Sequence, residues 1–368
     1  MSTSVRLDAL DLACDAIFGS LPEDATEDQL LDAHKAWAQV CGYDRRWRDM
    51  PYEVLAVEGE FAVPVVDPAS GKTSGCFVMA GKRDGMIRHE DEVYGLEHKT
   101  CSEEIHTPDA PYWRKLAIDS QVNTYALSSW QEGVKIAGML YDVIRKPTIR
   151  PARIAKKPKK GEPNTGTLEE LTQDGTYYGI EVVKEEVEAA VETGRETPCL
   201  YGCRLMNDCT NRPDYYYQRR MIYRLDRDLL EWAEELWSIK GDIANTQLQS
   251  AQSDRPQVCW PRNSGSCMNF GTPCEYLGLC SGYDTVDSDN WVRRATPHHE
   301  LDVQSDGEHW GVLTHSSVRT FQTCKRKAYY RYELRLDRAD REPSAALYYG
   351  SLIHTALEAW WSFFLKEK

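Results

Sequence analysis

Apolar positions recur at helical spacing over residues 8–48, with few breakers, and predict a helical N-terminal segment. The period then changes. Glu53–Val66 (EVLAVEGEFAVPVV), Gly75–Arg88 and Val93–Thr100 alternate or are rich in β-branched residues, with Pro68, Gly71 and the HEDE run as turn signals between them. Three consecutive strands are expected. Residues 111–133 return to a helical period that stops at Gly133, and Val134–Ile144 (VKIAGMLYDVI) is an apolar run of the buried-strand kind. Residues 145–166 read as a linker or flap. Residues 222–250 predict a long helix, 259–284 a loop dense in Cys, Gly and Pro, and 285–313 an irregular acidic stretch. One helix is expected from Ser316, with Ser/Thr capping chemistry, and another from near Ser344 to the end. Strand and helix periods that alternate in this way predict an α/β fold, a short mixed sheet flanked by helices.

Length and composition narrow the class. The 368 residues allow one large domain or two ordinary ones at about 150 residues each. No apolar run reaches the roughly 18 residues of a membrane span, and the N-terminus carries acids where a signal peptide would be apolar, so a cytoplasmic protein is expected. Lys and Arg number 44 against 58 Asp and Glu, a formal net charge of −14 that argues against a general grip on a polyanion. The 12 cysteines are many for such a chain. A reducing compartment disfavours structural disulfides, so some of them are expected to ligate metal.

Charge is also unevenly spread. Between Arg145 and Lys160 there are eight Lys/Arg, three prolines and no acid. Such a run is either a solvated loop or a local phosphate contact, effective within a Debye length of about 10 Å, through Lys156, Lys157, Lys159 and Lys160. Lys325–Tyr332 mixes cations with rings and offers Arg326 and Lys327. Tyr215, Tyr216, Tyr217, Arg219 and Arg220 do the same. These mixtures suit single-stranded nucleic acid, and equally suit rings packed inward with charges outward.

The most informative segment is Gly81–Thr100, GKRDGMIRHEDEVYGLEHKT. Glu97 and Lys99 are two apart on a strand and share a face. A hairpin would bring Asp84 to them. Two carboxylates can hold Mg²⁺ or Mn²⁺ through oxygen, the cation acidifies a water and polarises a phosphodiester, and the lysine steadies the developing charge. Salt-bridged strand faces also produce this pattern. On the next helix Gln121 and Tyr125 are i, i+4 and share a face, with amide and phenol groups able to meet nucleic acid.

The order G-x-x-D, E-x-K, Q-x-x-x-Y resembles the PD-(D/E)XK nuclease superfamily, in its RecB-like branch. There a helix ahead of the sheet supplies a metal-binding histidine. Upstream of Asp84 stands only His34, in DAHKAWAQ. Residues 316–361 instead resemble the opening segment of that branch, with Phe-x-x-Cys-x-Arg-Lys followed by Gly-Ser-x-x-His-x-x-Leu-Glu. The resemblance makes His354 the metal histidine, with Glu358 one turn on to orient it, and adds the carbonyl of His98 as a further ligand. Joining the C-terminal helix to the N-terminal ones restores the family order, so a circular permutation is expected. The rival is a C-terminal segment that starts a second copy or serves another subunit. The segments then read as residues 1–50 after the permuted junction, 51–145 core sheet and helix, 146–258 basic flap and helical region, 259–284 cysteine loop, and 285–368 the displaced opening part.

Cys267, Cys274 and Cys280 sit among Gly and Pro and can wrap one centre, with Cys324 as the fourth thiolate. Four thiolates fit zinc or iron–sulfur. Similarity to AddB-type and CRISPR-adaptation nucleases implies a 4Fe–4S cluster stapling a helical periphery, with zinc the runner-up. Cys199, Cys203 and Cys209 read as ordinary cysteines. The implied activity is Mg²⁺- or Mn²⁺-dependent hydrolysis of DNA, exonucleolytic on single strands or duplex ends, in repair, recombination, phage or CRISPR-type processing. The alternative is an inactive iron–sulfur module that binds DNA or acts as a scaffold on the same fold.

Overall fold

The structure of the chain, a computed structural model, describes residues 3–47, 49–154, 174–269, 271–298, 301, 311–340 and 345–365. Lys156, Lys157, Lys159 and Lys160 of the basic run lie outside the described residues. The helical N-terminal segment is two helices, α1 (Thr3–Gly19) and α2 (Glu27–Arg46). Thr26 starts the second: its Oγ1 accepts from the Gln29 backbone at 3.3 Å, and its own N–H donates to Gln29 Oε1 at 2.8 Å.

Strand β1 (Glu53–Val66) coincides with its pattern, while β2 (Thr73–His89) and β3 (Glu92–Cys101) extend beyond theirs. The helix expected over 111–133 is broken. Short turns cover Pro111–Ile118, and α3 runs Ser120–Gln131. Asp119 makes the break, because its carboxylate caps α3 by accepting from the N–H groups of Gln121 and Val122 at 2.9 and 3.1 Å. Val134–Ala137 is connection, and β4 is Gly138–Arg145. Two further helices, α4 (Lys184–Thr193) and α5 (Pro198–Asn211), precede β5 (Tyr217–Ile222), which the sequence reading missed. The long helix, α6, starts only at Asp226 and ends at Ala251. A short strand, β6 (Gly311–Leu313), forms in the stretch expected to be irregular, before α7 (His315–Thr323) and α8 (Ala345–Ser362).

The sheet runs β1-β2-β3-β4-β5, with β6 added beside β2. It is mixed: β1, β2 and β3 are antiparallel in turn, β3 and β4 are parallel, β4 and β5 antiparallel, and β6 and β2 parallel. Strands from beyond residue 145 therefore complete the sheet. In β4, Met139, Tyr141 and Val143 enter one core and Leu140 and Ile144 the other. The period of two thus makes a two-sided strand from a continuous apolar run. The first core packs under α3 and α6, the second under α1, α2, α5 and α8. Among the described residues no helix is long and apolar enough to cross a membrane.

The tyrosine and arginine mixture at 215–220 belongs to this core. Tyr216 and Tyr217 are fully buried, and Arg220 donates to the carbonyls of Pro108 and Thr107 at 2.7 and 3.1 Å. Arg219 is buried against Asp142 of β4, with Nε 3.0 Å from Oδ2. Of the two readings of this segment, inward packing is the observed one.

Candidate active site

Strand β2 forks. Its Phe77–Met79 pairs with β6, and its Gly85–His89 pairs with β3. Pairing with β3 stops at Gly85 and Leu96, so Asp84 and Glu97 stand where the strands part. The Asp84 carboxylate fills the gap and accepts the freed N–H of His98 at 2.6 Å. The glycine of G-x-x-D has a steric reason: a Cβ on Gly81 would lie 2.8 Å from the Phe61 ring.

Glu97 and Lys99 form an ion pair and face α3, as alternation requires. Gln121 Nε2 donates to Glu97 Oε1 at 2.8 Å and to the Tyr125 hydroxyl at 2.9 Å, and that hydroxyl donates to the Lys82 carbonyl at 2.8 Å. His98 points the other way, toward α8, with its ring 6.5 Å from His354 and 5.8 Å from Trp361. His354 is close enough to Asp84 and Lys99 to feel both charges. Asp84, Glu97, His98, Lys99, Gln121, Tyr125 and His354 are therefore neighbours within one chain. His34 is elsewhere, packed edge-on between Phe18 and Trp37.

Burial dominates the electrostatics. Glu97 is 1% exposed, and desolvation lifts its pKa to about 8; Lys99 opposes the rise and Asp84 adds to it. Burial pulls the Lys99 ammonium down, but Glu97 and Asp84 outweigh it and hold the pKa above the ordinary lysine value. Burial lowers His354, with Asp84 opposing, and so favours the neutral imidazole, the form that can ligate a cation.

This donor set fits a divalent cation. Glu97 Oε2 is buried and makes no hydrogen bond, an orphaned acceptor that a cation would satisfy. Asp84 adds a second carboxylate, and His354 a neutral ring. Among the described residues, no three His, Cys, Asp or Glu side chains are drawn together closely enough to hold a metal as they stand. One consequence concerns pH. The raised Glu97 pKa stabilises the metal-free fold fully below about pH 4.5, and that contribution is lost as pH rises through about 8. A cation must displace this proton, so apparent Mn²⁺ affinity is expected to climb up to about tenfold per pH unit below 8 and level off above it. Mn²⁺-induced shifts in Tm, followed from about pH 6 to 9, check this; a flat profile would exclude Glu97 as the coupled group.

Two acids went unnoticed in the sequence. Glu58 of β1 stands opposite Asp84 in the β1–β2 register, in the left-handed region at φ 54°, and pairs with Lys82 at 2.7 Å. Burial raises its pKa, and the charges of Asp84 and Glu358 add to the rise. The charge of Glu358 thus reaches Glu58, and among the described residues no hydrogen bond joins it to His354. Asp142, the lone acid of an apolar run, lies 3.5 Å from His98 Nδ1. Its position inside that run was the available signal.

The cysteine loop folds against Cys324. Asn263 Nδ2 donates to the Thr323 carbonyl, and Arg262 Nη1 to the Cys280 carbonyl, each at 2.8 Å. Cys280 feels the charges of Cys274, Cys324 and Cys267. None of the 12 cysteines is in a disulfide. Arg326 and Lys327 serve this contact: Arg326 Nε donates to the Trp260 carbonyl at 2.8 Å, and Lys327 pairs with Glu275 at 3.1 Å. Cys203 and Cys209 are buried in the cores around α5, with Cys199 packed beside them.

No curated protein and no solved structure matches the chain. A family model, that of the PD-(D/E)XK nuclease superfamily, matches residues 312–368, the stretch that carries Cys324 and His354, and suggests a nuclease.

Proposed function

We propose that the protein is a Mg²⁺- or Mn²⁺-dependent deoxyribonuclease of the RecB-like kind, acting on single strands or duplex ends. The observation that carries this reading is Glu97: a buried carboxylate with an unpaired oxygen, paired with Lys99 and within reach of the Asp84 charge that His354 also feels. Asp84, Glu97 and His354, with the His98 carbonyl, would hold the cation. When bound, the cation polarises the phosphodiester and makes a water a better nucleophile. Lys99 places a fixed positive charge where negative charge develops on the phosphate. Gln121 fixes the Glu97 carboxylate through Oε1 and leaves Oε2 facing the site. Tyr125, held by Gln121 and the Lys82 carbonyl, closes the wall toward α3.

The histidine helix follows the sheet in sequence, yet packs on α1, α2, β1 and β3 of its own chain. This packing supports a permuted order, with His354 acting in cis. Labelled single-stranded DNA incubated with Mn²⁺, with and without EDTA, tests the activity. Chelator-sensitive cleavage is expected. A gel shift without cleavage would favour the inactive binding module.

Cys267, Cys274, Cys280 and Cys324 are proposed to hold a 4Fe–4S cluster. The support is that Cys267, Cys274 and Cys324 all act on the Cys280 thiol and that a hydrogen bond pins the loop to residue 323, although these thiols would have to draw closer to share one centre. Anaerobically purified protein is expected to be brown and to contain iron and sulfide, with both lost in Cys324→Ser. Zinc in place of iron would give a colourless protein and overturn the cluster.

A further inference from the structure

A groove of about 770 Å³ opens beside Lys99 and Gln121, between the end of β3, the 112–121 segment and α7. The carboxylate site therefore sits at one end of it. Lys115, Lys146, His315 and Arg319 also line it, in a chain whose net charge is −14. Two acids share the lining, and both are already engaged. Glu103 pairs with Lys115 at 3.0 Å, and Asp119 caps α3. Arg319 is exposed and has no ion-pair partner among the described residues.

His315 ties the two sides together, since its Nε2 lies 3.0 Å from Ser120 Oγ at the start of α3. A second, smaller space of about 190 Å³ shares Gln121 and His315 on the far side, next to Lys82. At the mouth of the large groove Ile118 is 86% exposed, an apolar surface against which a base can lie. The volume is that of a small-ligand pocket, about 300–1,000 Å³, enough for a nucleotide or two of one strand and not for a duplex. Lys146 and Arg319 in the lining and an apolar lip are the elements of a single-strand track.

We infer that this groove guides a single nucleic-acid strand to Lys99, with Arg319 and Lys146 holding the phosphates that flank the one delivered. The inference rests on the nuclease reading for its direction, but its test needs no turnover. Fluorescence anisotropy of labelled oligo(dT), titrated in EDTA at several salt concentrations, compares wild type with Arg319→Ala, Lys146→Ala and Arg319→Lys. Each alanine variant is expected to bind about three- to tenfold more weakly and to lower the salt slope by about 0.7, with Arg319→Lys recovering most of the loss. A blunt duplex is expected to bind weakly and to be insensitive to either change. Unchanged affinity and slope in both alanine variants would overturn the track, and so would an equal loss on duplex. In Mn²⁺ the variants are expected to raise KM more than they lower kcat. A wild type that never cleaves, yet loses binding on Arg319→Ala, removes the nuclease reading and keeps the track. A wild type that cleaves, with variants of unaltered binding and KM, does the reverse.

Discussion

Lys99→Ala is expected to lower Mn²⁺-supported DNA cleavage by at least about 100-fold, the scale of losing one preorganised charge at a transition state. The fold is expected to survive, and the reason lies in Glu97. Desolvation already lifts the Glu97 carboxyl to about 8 against the pull of Lys99; with Lys99 removed it rises further and stays protonated at neutral pH. A neutral buried acid costs far less than an uncompensated charge. Circular dichroism melts should therefore change little while the oligonucleotide assay collapses. Asp84→Ala is expected to match the loss of cleavage, with a modest stability cost because the His98 N–H loses its acceptor. Full cleavage in both purified variants would sink the catalytic assignment.

The largest effect on stability is expected in the buried charge network behind His98. Asp142 and Arg219 are both buried, and the guanidinium lies among four rings, 5.3 Å from Tyr43, 4.1 Å from Trp47, 5.9 Å from Tyr52 and 5.4 Å from Trp361. The Tyr43 hydroxyl donates to Asp142 Oδ2 at 2.5 Å and accepts from Trp361 Nε1 at 3.1 Å. This network joins α2, β4, β5 and α8, and so holds the helix of His354 on the sheet. Asp142→Ala strands a buried cation, and such breaks cost about 3–5 kcal/mol. Asp142→Ala combined with Arg219→Met is expected to recover much of that, because it removes both charges and keeps the volume. Burial pushes the Asp142 carboxyl up, but Arg219 and His98 outweigh it and leave the pKa below the ordinary value. Its contribution to stability is therefore present above about pH 4 and lost as pH falls through the folded-state value. Denaturant unfolding of the single and double variants checks the claim. An unchanged midpoint in Asp142→Ala would show that the pair contributes nothing.

How far the sequence was legible depended on how local the physics was. Strands β1, β2 and β3 follow from alternation, and β1 matches its pattern end to end. The i, i+2 spacing of Glu97 and Lys99 and the i, i+4 spacing of Gln121 and Tyr125 already fixed which side chains share a face. Where one residue overrules a period, the pattern misled. Asp119 caps a new helix and breaks the run expected over 111–133. Strand β5 was hidden because its tyrosines and arginines read as a binding mixture; its place beside β4 turns Tyr217 and Arg219 inward.

By itself, the sequence determined the local periods, the kinds of chemistry available and which residues were candidates for them. It did not determine that Asp84 would fill a fork in β2, that Glu58 would stand opposite it, or that a C-terminal histidine would reach the same place. Those are contacts between residues far apart in the chain, and they exist only once two hydrophobic cores have pressed helices onto both faces of the sheet. The raised Glu97 pKa has the same origin. A glutamate in the chain is an ordinary acid, and only burial beside Asp84 makes it hold its proton near neutrality.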